Sequence, residues 1–195
     1  MAFLRPSLMA DEVPVLRRNG VLLRAPAMSD YPAWAELRSR SRQYLVPFEP
    51  AWSTDELSRS SYRDRLKRYQ RDARDDAGYA FFIVRETDRA LVGAISLSNV
   101  RRGVAQSASV GYWIGAGFTR QGFASRALAA VATFGFDELR LYRIEAACMP
   151  SNAASLGVLA RCGFRQEGLA RRYLRINGAW EDHILHALLT EDARP

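Results

Sequence analysis

The sequence predicts a single α+β domain in which a mixed, mostly antiparallel twisted sheet is flanked by helices. Its 195 residues suit one domain with a sizeable core. Apolar runs typical of strands alternate with amphipathic stretches typical of helices, and turn signals separate them. A glycine-rich stretch near the middle of the chain, residues 115–122, joins a predicted strand to a predicted helix. These three observations predict the fold class.

The N-terminal part of the chain predicts an extension followed by a strand. Residues 1–18 are mixed in character and are expected to lead, as an N-terminal extension, into one domain over residues 19–190. Asn19-Gly20 signals a turn. Val21 to Arg24 then forms the first predicted strand.

A helix is predicted after that strand. Ser29 or Asp30 can cap its first turn, because short polar side chains accept hydrogen bonds from free backbone N–H groups there. Its helical period places Arg38, Arg40 and Arg42 largely on the outward face. The helix therefore packs through its apolar side.

A stiff loop and a second helix are predicted next. Residues 44–52 contain two prolines and three aromatic side chains. This loop either packs onto the core or forms one side of an acceptor site, with Glu49 facing a substrate cation. The segment Ser53-Thr-Asp-Glu56 has the pattern of a capping box, so we expect the second helix to begin there.

The remaining chain predicts six strands and two helices. The strands are residues 80–84, 91–97, 105–114, 141–148, 169–176 and 179–189. One helix follows the glycine-rich loop and ends near Phe136. The other begins at Asn152 and ends at Cys162, with Gly163 suited to the position after it. Asn177-Gly178, between the last two strands, is a strong hairpin signal.

The composition is that of an ordinary globular protein, with 48% hydrophobic and 25% charged residues. The sequence contains no run of about 18 apolar residues, so no membrane span is expected, and no secretory signal is visible. Cys148 and Cys162 are too few for a disulfide framework or a zinc site. We therefore expect a cytoplasmic protein without a metal.

The net charge of +7 comes almost entirely from arginine, and Lys67 is the only lysine. Codon bias in a GC-rich bacterial genome is the favoured explanation, and attraction to an anion is the alternative. The anion could be CoA, an acidic peptide or ribosomal RNA. We find no zinc-finger, helix-turn-helix or RNP-type motif, so direct nucleic-acid binding is not expected.

The stretch from Val110 to Leu128 predicts a strand, a glycine-rich loop and the first turns of a helix. Free backbone N–H groups and the helix dipole both favour an anion at such a helix N-terminus. Our interpretation is the pyrophosphate site of a coenzyme A enzyme.

Several motifs resemble the GCN5-related N-acetyltransferase (GNAT) superfamily over residues 20–190. They are Tyr112-Trp-Ile-Gly, Gly122-Phe-Ala, Arg143-Ile-Glu, Pro150-Ser-Asn-Ala-Ala-Ser155, Gly163-Phe-Arg-Gln-Glu-Gly168 and Asn177-Gly-Ala-Trp-Glu-Asp-His183. The chain is similar to the RimJ/RimL branch, which acetylates protein N-termini. The loop 44–52, the run 171–178 and the segment 180–185 resemble its RimJ side.

The resemblance implies a GNAT fold, acetyl-CoA as co-substrate, and the N-terminal alanine of a small-subunit ribosomal protein as acceptor. The residues it implies in binding acetyl-CoA are Tyr112, Trp113, Ile114, Thr119, Arg120, Gln121, Gly122, Phe123, Ala124, Asn152 and Ser155. Thr119 departs from the Gln or Arg usual at the first site of the loop. Ser155 is implied to serve the departing thiolate as general acid, and a buried structural serine is the alternative.

The amine must lose a proton during transfer, and Glu49 and Glu145 are the candidate acceptors, directly or through water. A peptide α-amino group has a pKa of about 7.7–8.0, so a strong base is not required. Glu145 could instead form an ion pair with Arg143, and Glu49 could simply bind the substrate ammonium.

Two other functions remain open from the sequence. One is a GNAT enzyme that acetylates a small amine, such as an antibiotic or a polyamine. The other is a non-catalytic, ribosome-associated protein that binds through its arginine-rich surface. The sequence is compatible with a monomer or a dimer.

Overall fold

A computed structural model describes residues 13–193 as one eight-stranded sheet with helices on both faces. The strands are β1 (Leu16–Arg18), β2 (Val21–Arg24), β3 (Gly78–Arg85), β4 (Leu91–Arg101), β5 (Ser107–Ile114), β6 (Arg143–Cys148), β7 (Arg165–Ile176) and β8 (Ala179–Leu189). Their order across the sheet is β1-β2-β3-β4-β5-β6-β8-β7. Among these described strands, only β5 and β6 pair in parallel. The predicted α+β class, with its mixed and mostly antiparallel sheet, is confirmed.

Five α-helices accompany the sheet in the same range of residues. They are α1 (Tyr31–Arg40), α2 (Arg42–Leu45), α3 (Arg59–Arg74), α4 (Phe123–Thr133) and α5 (Ala153–Arg161). A π-helical turn, Phe134–Glu138, extends α4. The helix predicted to end near Phe136 therefore changes its hydrogen-bonding pattern at residue 134.

The core lies on both faces of the sheet. On β3, Phe81 and Ile83 belong to the cluster packed with α4, whereas Phe82 and Val84 belong to the cluster packed with Trp34 of α1. Successive side chains of a strand point to opposite faces, so a strand covered on both sides needs apolar residues throughout. This explains the continuous apolar run that predicted β3.

The expected boundary of the N-terminal extension falls inside a hairpin. Leu16 pairs with Leu23 and Arg18 with Val21, so residues 16–18 form an edge strand of the sheet. The first twelve residues of the expected extension lie outside the described residues. Only three residues of β1 pair with β2, which is too short a run to show strand periodicity in the sequence.

The capping box predicted at Ser53 is wrong, because α3 begins at Arg59. Ser58 caps it, and its Oγ accepts a hydrogen bond of 3.1 Å from the Ser61 N–H. Ser53 donates its hydroxyl proton to Asp55, and Glu56 binds Arg65 at 2.6 Å. Both side chains that would have formed the capping box are therefore used elsewhere.

The sheet opens between β5 and β6. Their parallel pairing covers Ser107 with Arg143, Ala108 with Ile144 and Ser109 with Glu145. Beyond these pairs, β5 stays with β4 and β6 stays with β8. The two strands therefore border a cleft at the centre of the sheet.

Candidate active site

The cleft between the diverging strands has a volume of about 980 Å³. Residues 110–114 of β5 line one side, and Ala146 to Met149 line the other. The glycine-rich loop and α5 close its ends. Of the residues implied in binding acetyl-CoA, all but Gln121 line this cleft. Gln121 instead donates from its side chain to the Gly117 carbonyl at 3.2 Å, within the loop.

The glycine-rich loop delivers a free helix N-terminus to the cleft. Gly122 has a φ of +77°, a conformation that favours glycine, and α4 begins at the next residue. No side chain of the described residues caps α4, so its first N–H groups remain available to an anion. Thr119, the departure from the family pattern, donates to the Ala116 carbonyl at 3.1 Å. Its hydroxyl therefore stabilises the loop.

Arg126 stabilises this loop through hydrogen bonds. The sequence did not identify it. Its guanidinium donates to the carbonyls of Asn19, Gln121 and Gly122, at 2.7, 2.9 and 3.3 Å. The loop is thus attached to the turn between β1 and β2. Arg126 follows Gly122 by about one helical turn, and this spacing is the only sequence pattern that could have indicated their contact.

Asn152 and Ser155 are arranged as the sequence predicted at the start of α5. The Asn152 side-chain oxygen accepts a hydrogen bond of 3.0 Å from the Ser155 N–H, which confirms Asn152 as the N-cap. The Ser155 hydroxyl lies 2.9 Å from the hydroxyl of Tyr112, and either oxygen can be the donor. Burial raises the pKa of Tyr112, and its hydrogen bond with Ser155 only partly opposes this.

Cys148 lies beside this pair at the end of β6. Its thiol approaches the carbonyls of Met149 and Asn152 at 3.6 and 3.7 Å. Burial raises the pKa of the thiol, while a hydrogen bond with Ser155 lowers it. The net direction keeps Cys148 protonated, so it has little nucleophilic character.

Glu49 stands between the cleft and a second, smaller pocket of about 360 Å³. Arg38 donates to both of its carboxylate oxygens, at 2.6 and 2.8 Å, and Trp52 Nε1 donates at 2.8 Å. Gly111, Tyr112 and Trp113 line both pockets. Glu49 is therefore a fixed carboxylate that accepts three hydrogen bonds at the junction of the two pockets.

Arg38 occupies a different place from the outward one predicted for it. Only 5% of the residue is exposed, and its guanidinium lies 4.3 Å from the Trp52 ring centroid and 5.1 Å from that of Trp113. Glu56, which lines the smaller pocket and was not identified from the sequence, lies 3.6 Å from the same guanidinium. Helical periodicity could not identify Arg38 as inward, because its partners come from loops and from β5.

The structure does not bring Glu145 into the cleft. Glu145 lines neither pocket, and its carboxylate binds Arg101 at 2.8 Å and Arg143 at 2.9 Å. Arg143 also binds Glu167. The alternative expected for Glu145, an ion pair with Arg143, is present, and these two guanidinium groups occupy the carboxylate.

Residues 13–193 contain neither a metal-binding cluster nor a membrane-spanning helix. No group of three His, Cys, Asp or Glu side chains is placed to hold a metal ion there. His183 lines the cleft, with its Nδ1 3.0 Å from the Glu181 carbonyl. In this described part of the chain, no helix combines the length and apolar character needed to cross a membrane.

Comparisons with known proteins agree with this geometry. Residues 21–165 match the acetyltransferase (GNAT) domain family. The probable N-acetyltransferase YjcK of Bacillus subtilis is 34% identical over 178 residues, covering 91% of this chain and 98% of the relative. The [ribosomal protein uS5]-alanine N-acetyltransferase of Escherichia coli is 32% identical over 187 residues, covering 95% of this chain and 96% of the relative.

Two solved structures are similar over nearly the whole chain. Mycobacterium smegmatis RimJ in complex with CoA-disulfide has a TM-score of 0.85 and 36% identity, covering 94% of this chain and 89% of that one. The ribosomal-protein-S5-alanine acetyltransferase of Vibrio fischeri has a TM-score of 0.85 and 31% identity, covering 94% of this chain and all of that one. The chain belongs to the GNAT acetyltransferase family and is an N-acetyltransferase of the RimJ type.

Proposed function

We propose that this enzyme transfers an acetyl group from acetyl-CoA to the N-terminal α-amino group of a ribosomal protein that begins with alanine. The amine attacks the thioester directly while both substrates are bound. One observation carries the proposal: the large cleft and a smaller pocket with paired charged side chains meet at Gly111, Tyr112 and Trp113. The Escherichia coli relative that covers the same length acts on the alanine of protein uS5.

The cleft suits acetyl-CoA along its whole length. The strand edges of residues 110–114 and 146–149 face it, and they offer peptide groups to the two amides of the pantetheine arm. The free N-terminus of α4 suits the pyrophosphate. When bound, acetyl-CoA supplies the thioester. The Mycobacterium smegmatis structure with CoA-disulfide supports this fit, because it resembles the chain over nearly its entire length.

The smaller pocket suits the first residue of the acceptor. Its volume of about 360 Å³ is ample for an N-terminal alanine. Arg38 and Arg65 line this pocket, so their guanidinium groups can serve carbonyl oxygens of the acceptor. Glu49 and Glu56 line the same pocket, and although each is paired with an arginine, their oxygens can accept a further hydrogen bond from an amine.

The proton of the amine leaves through water or through Glu49. Arg38 and Trp52 already donate three hydrogen bonds to the Glu49 carboxylate, so its main contribution is to orient the α-amino group. At cytoplasmic pH a useful fraction of peptide α-amine is neutral, since its pKa is about 7.7–8.0. Ser155, which lines the cleft, donates to the departing sulfur.

The test is acetylation of defined peptides by the purified full chain. Octapeptides that begin with Ala, Ser or Met, and an Nα-blocked Ala peptide as control, are incubated with acetyl-CoA and analysed by mass spectrometry. We expect the Ala peptide to gain one acetyl group on its α-amine and the blocked peptide to gain none. Turnover of polyamines or aminoglycosides without any peptide turnover would contradict the proposed acceptor.

A second measurement identifies the natural acceptor. Ribosomal proteins from cells with and without the gene are compared by intact-mass and N-terminal peptide analysis. We expect one small-subunit protein to lose its N-terminal acetyl group in the deletion strain. A ribosomal acceptor would place the reaction in the cytoplasm.

A further inference from the structure

The hydroxyl of Tyr112 lies in the cleft without an assigned role. The fold does not need it, and only the backbone of Tyr112 would contact acetyl-CoA. The ring projects from β5, and its Oη lies 2.9 Å from Ser155 Oγ on α5. The same Oη lies 3.4 Å from the Ser155 carbonyl oxygen, at the limit of a hydrogen bond. The two hydroxyls thus join opposite sides of the cleft where β5 and β6 have separated.

The direction of this hydrogen bond decides what Ser155 can do. Each hydroxyl has one proton. If Ser155 donates to Tyr112, the serine proton is held in that hydrogen bond and cannot reach another acceptor. If Tyr112 donates to Ser155 Oγ, the serine proton is free to point elsewhere. The Asn152 side chain already fixes the Ser155 backbone by accepting from the Ser155 N–H, so the contacts that remain to orient the Ser155 hydroxyl are those with Tyr112 and Cys148.

We propose that Tyr112 is a positioning residue whose hydroxyl donates to Ser155 Oγ and thereby aims the serine proton at the departing sulfur. The proposal rests on the proposed function and deepens it. As the C–N bond forms and the C–S bond breaks, Ser155 gives its proton to sulfur. It regains a proton that the amine nitrogen releases, through water. The net change is one proton moved from nitrogen to sulfur.

Tyr112 is suited to positioning Ser155 and not to acting as the general acid itself. Burial raises the pKa of its phenol, so the hydroxyl stays neutral and keeps its proton throughout the working pH range. A neutral phenol is a constant hydrogen-bond donor. Tyr112 therefore acts through Ser155 and does not itself transfer a proton to the substrate.

A double-mutant cycle in the full-length enzyme tests the coupling. We expect Tyr112→Phe to lower kcat about tenfold and Ser155→Ala to lower it about a hundredfold. Because the tyrosine acts through the serine, the double variant should match Ser155→Ala alone. If the reductions in kcat of the two single variants multiply in the double variant, the proposal is overturned. A Tyr112→Phe variant that raises the KM for acetyl-CoA and leaves kcat unchanged would also overturn it.

The matched control is Tyr142→Phe, which removes another tyrosine hydroxyl. That hydroxyl binds Glu191 at 2.9 Å and is exposed, outside both pockets. Its kcat should equal that of the wild type. Incorporation of 3-fluorotyrosine at residue 112 keeps the shape of the ring and makes the phenol more acidic. Because the hydroxyl of this analogue still donates a hydrogen bond, its kcat should stay within about twofold of the wild type, and a loss equal to that of Tyr112→Phe would overturn the role of Tyr112.

Thiol release from acetyl-CoA in the absence of peptide separates this proposal from the acceptor assignment. Hydrolysis expels the same sulfur with water as the attacking group. If the cycle shows the coupling in hydrolysis and no peptide is acetylated, the acceptor assignment fails and the role of Tyr112 stands. If peptides are acetylated and the two substitutions act independently, the acceptor assignment stands and the role of Tyr112 fails.

Discussion

The backbone N–H of Asn177 donates to the carbonyl oxygen of Glu49 at 2.9 Å. This single bond attaches the tip of the hairpin between β7 and β8 to the loop that carries Glu49. Asn177 and Gly178 have φ values of +44° and +87°, as the two central residues of a type I′ hairpin turn require. The terminal hairpin therefore positions a residue that lies far earlier in the sequence and borders both pockets.

Replacement of Asn177 by proline should detach the hairpin tip from this loop. Proline has no N–H, and its ring fixes φ near about −65°, so it loses both the bond to Glu49 and the turn. We expect the KM for the peptide to rise about tenfold, while acetyl-CoA binding changes less than about twofold. Asn177→Gly keeps the N–H and the positive φ and should behave like the wild type. Steady-state kinetics and calorimetric titration with CoA measure both effects, and an equal loss for both substrates would argue against a local role.

Replacement of Arg38 by methionine should destabilise the fold by about 3 kcal/mol, because it leaves the half-buried Glu49 carboxylate without its guanidinium partner. The matched control is Arg40→Met on the same helix. Arg40 is exposed over 77% of its side chain and pairs with Glu36, so its loss should cost under about 0.5 kcal/mol. Urea denaturation measures both. Equal losses would show that the ion pair with Glu49 contributes nothing beyond a surface pair.

Gly93 has no room for a side chain. A Cβ there would lie 2.2 Å from the backbone oxygen of Trp113, on the paired strand β5. Backbone in the centre of a sheet cannot move aside cheaply, so Gly93→Ala should cost about 3 kcal/mol. Gly111→Ala is the control, since its Cβ meets nothing within 4 Å. Thermal or urea unfolding of the two variants compares them, and similar midpoints would be inconsistent with this close approach.

The pH dependence of peptide acetylation should follow the α-amine and not Tyr112. Below about pH 7.7, kcat/KM should rise about tenfold per pH unit, and it should level off above about pH 8 as the amine becomes neutral. Burial raises the pKa of Tyr112, so its protonated form persists and no decline is expected up to about pH 10. The control acceptor is an Nα-blocked peptide with one lysine, which should be far slower because its amine is charged. A descending limb below about pH 10 would contradict a neutral Tyr112.

Much of the cleft could be predicted because its parts are local in the sequence. The N-cap Asn152 and Ser155 lie three residues apart, and the glycine-rich loop is contiguous with the helix that it begins. Side-chain capping and positive φ at Gly122 depend on neighbouring residues alone. Local rules of this kind identify such elements without knowledge of the fold.

The acceptor side could not be predicted in the same way, because tertiary contacts decide it. Arg38 is directed inward by Glu49 and Trp52, although helical periodicity favoured an outward arginine. Glu56 fits a capping box by its spacing from Ser53, yet the ion pair with Arg65 takes its carboxylate. The hydroxyl of Tyr112 meets Ser155 across 43 residues of chain. In each case a partner distant in sequence competes successfully with the local pattern.

The short parallel pairing of β5 and β6 also affects the stability of the protein and its lifetime in the cell. Under the proposed function, acetyl-CoA bound in this cleft would pair its peptide groups with both strands and so contribute to the stability of the folded protein. At about a hundred times its Kd, such a ligand adds about 2.7 kcal/mol to the free energy of unfolding. A cell poor in acetyl-CoA would therefore hold an enzyme that unfolds and is degraded more readily. Starvation would reduce both the abundance of the enzyme and its rate.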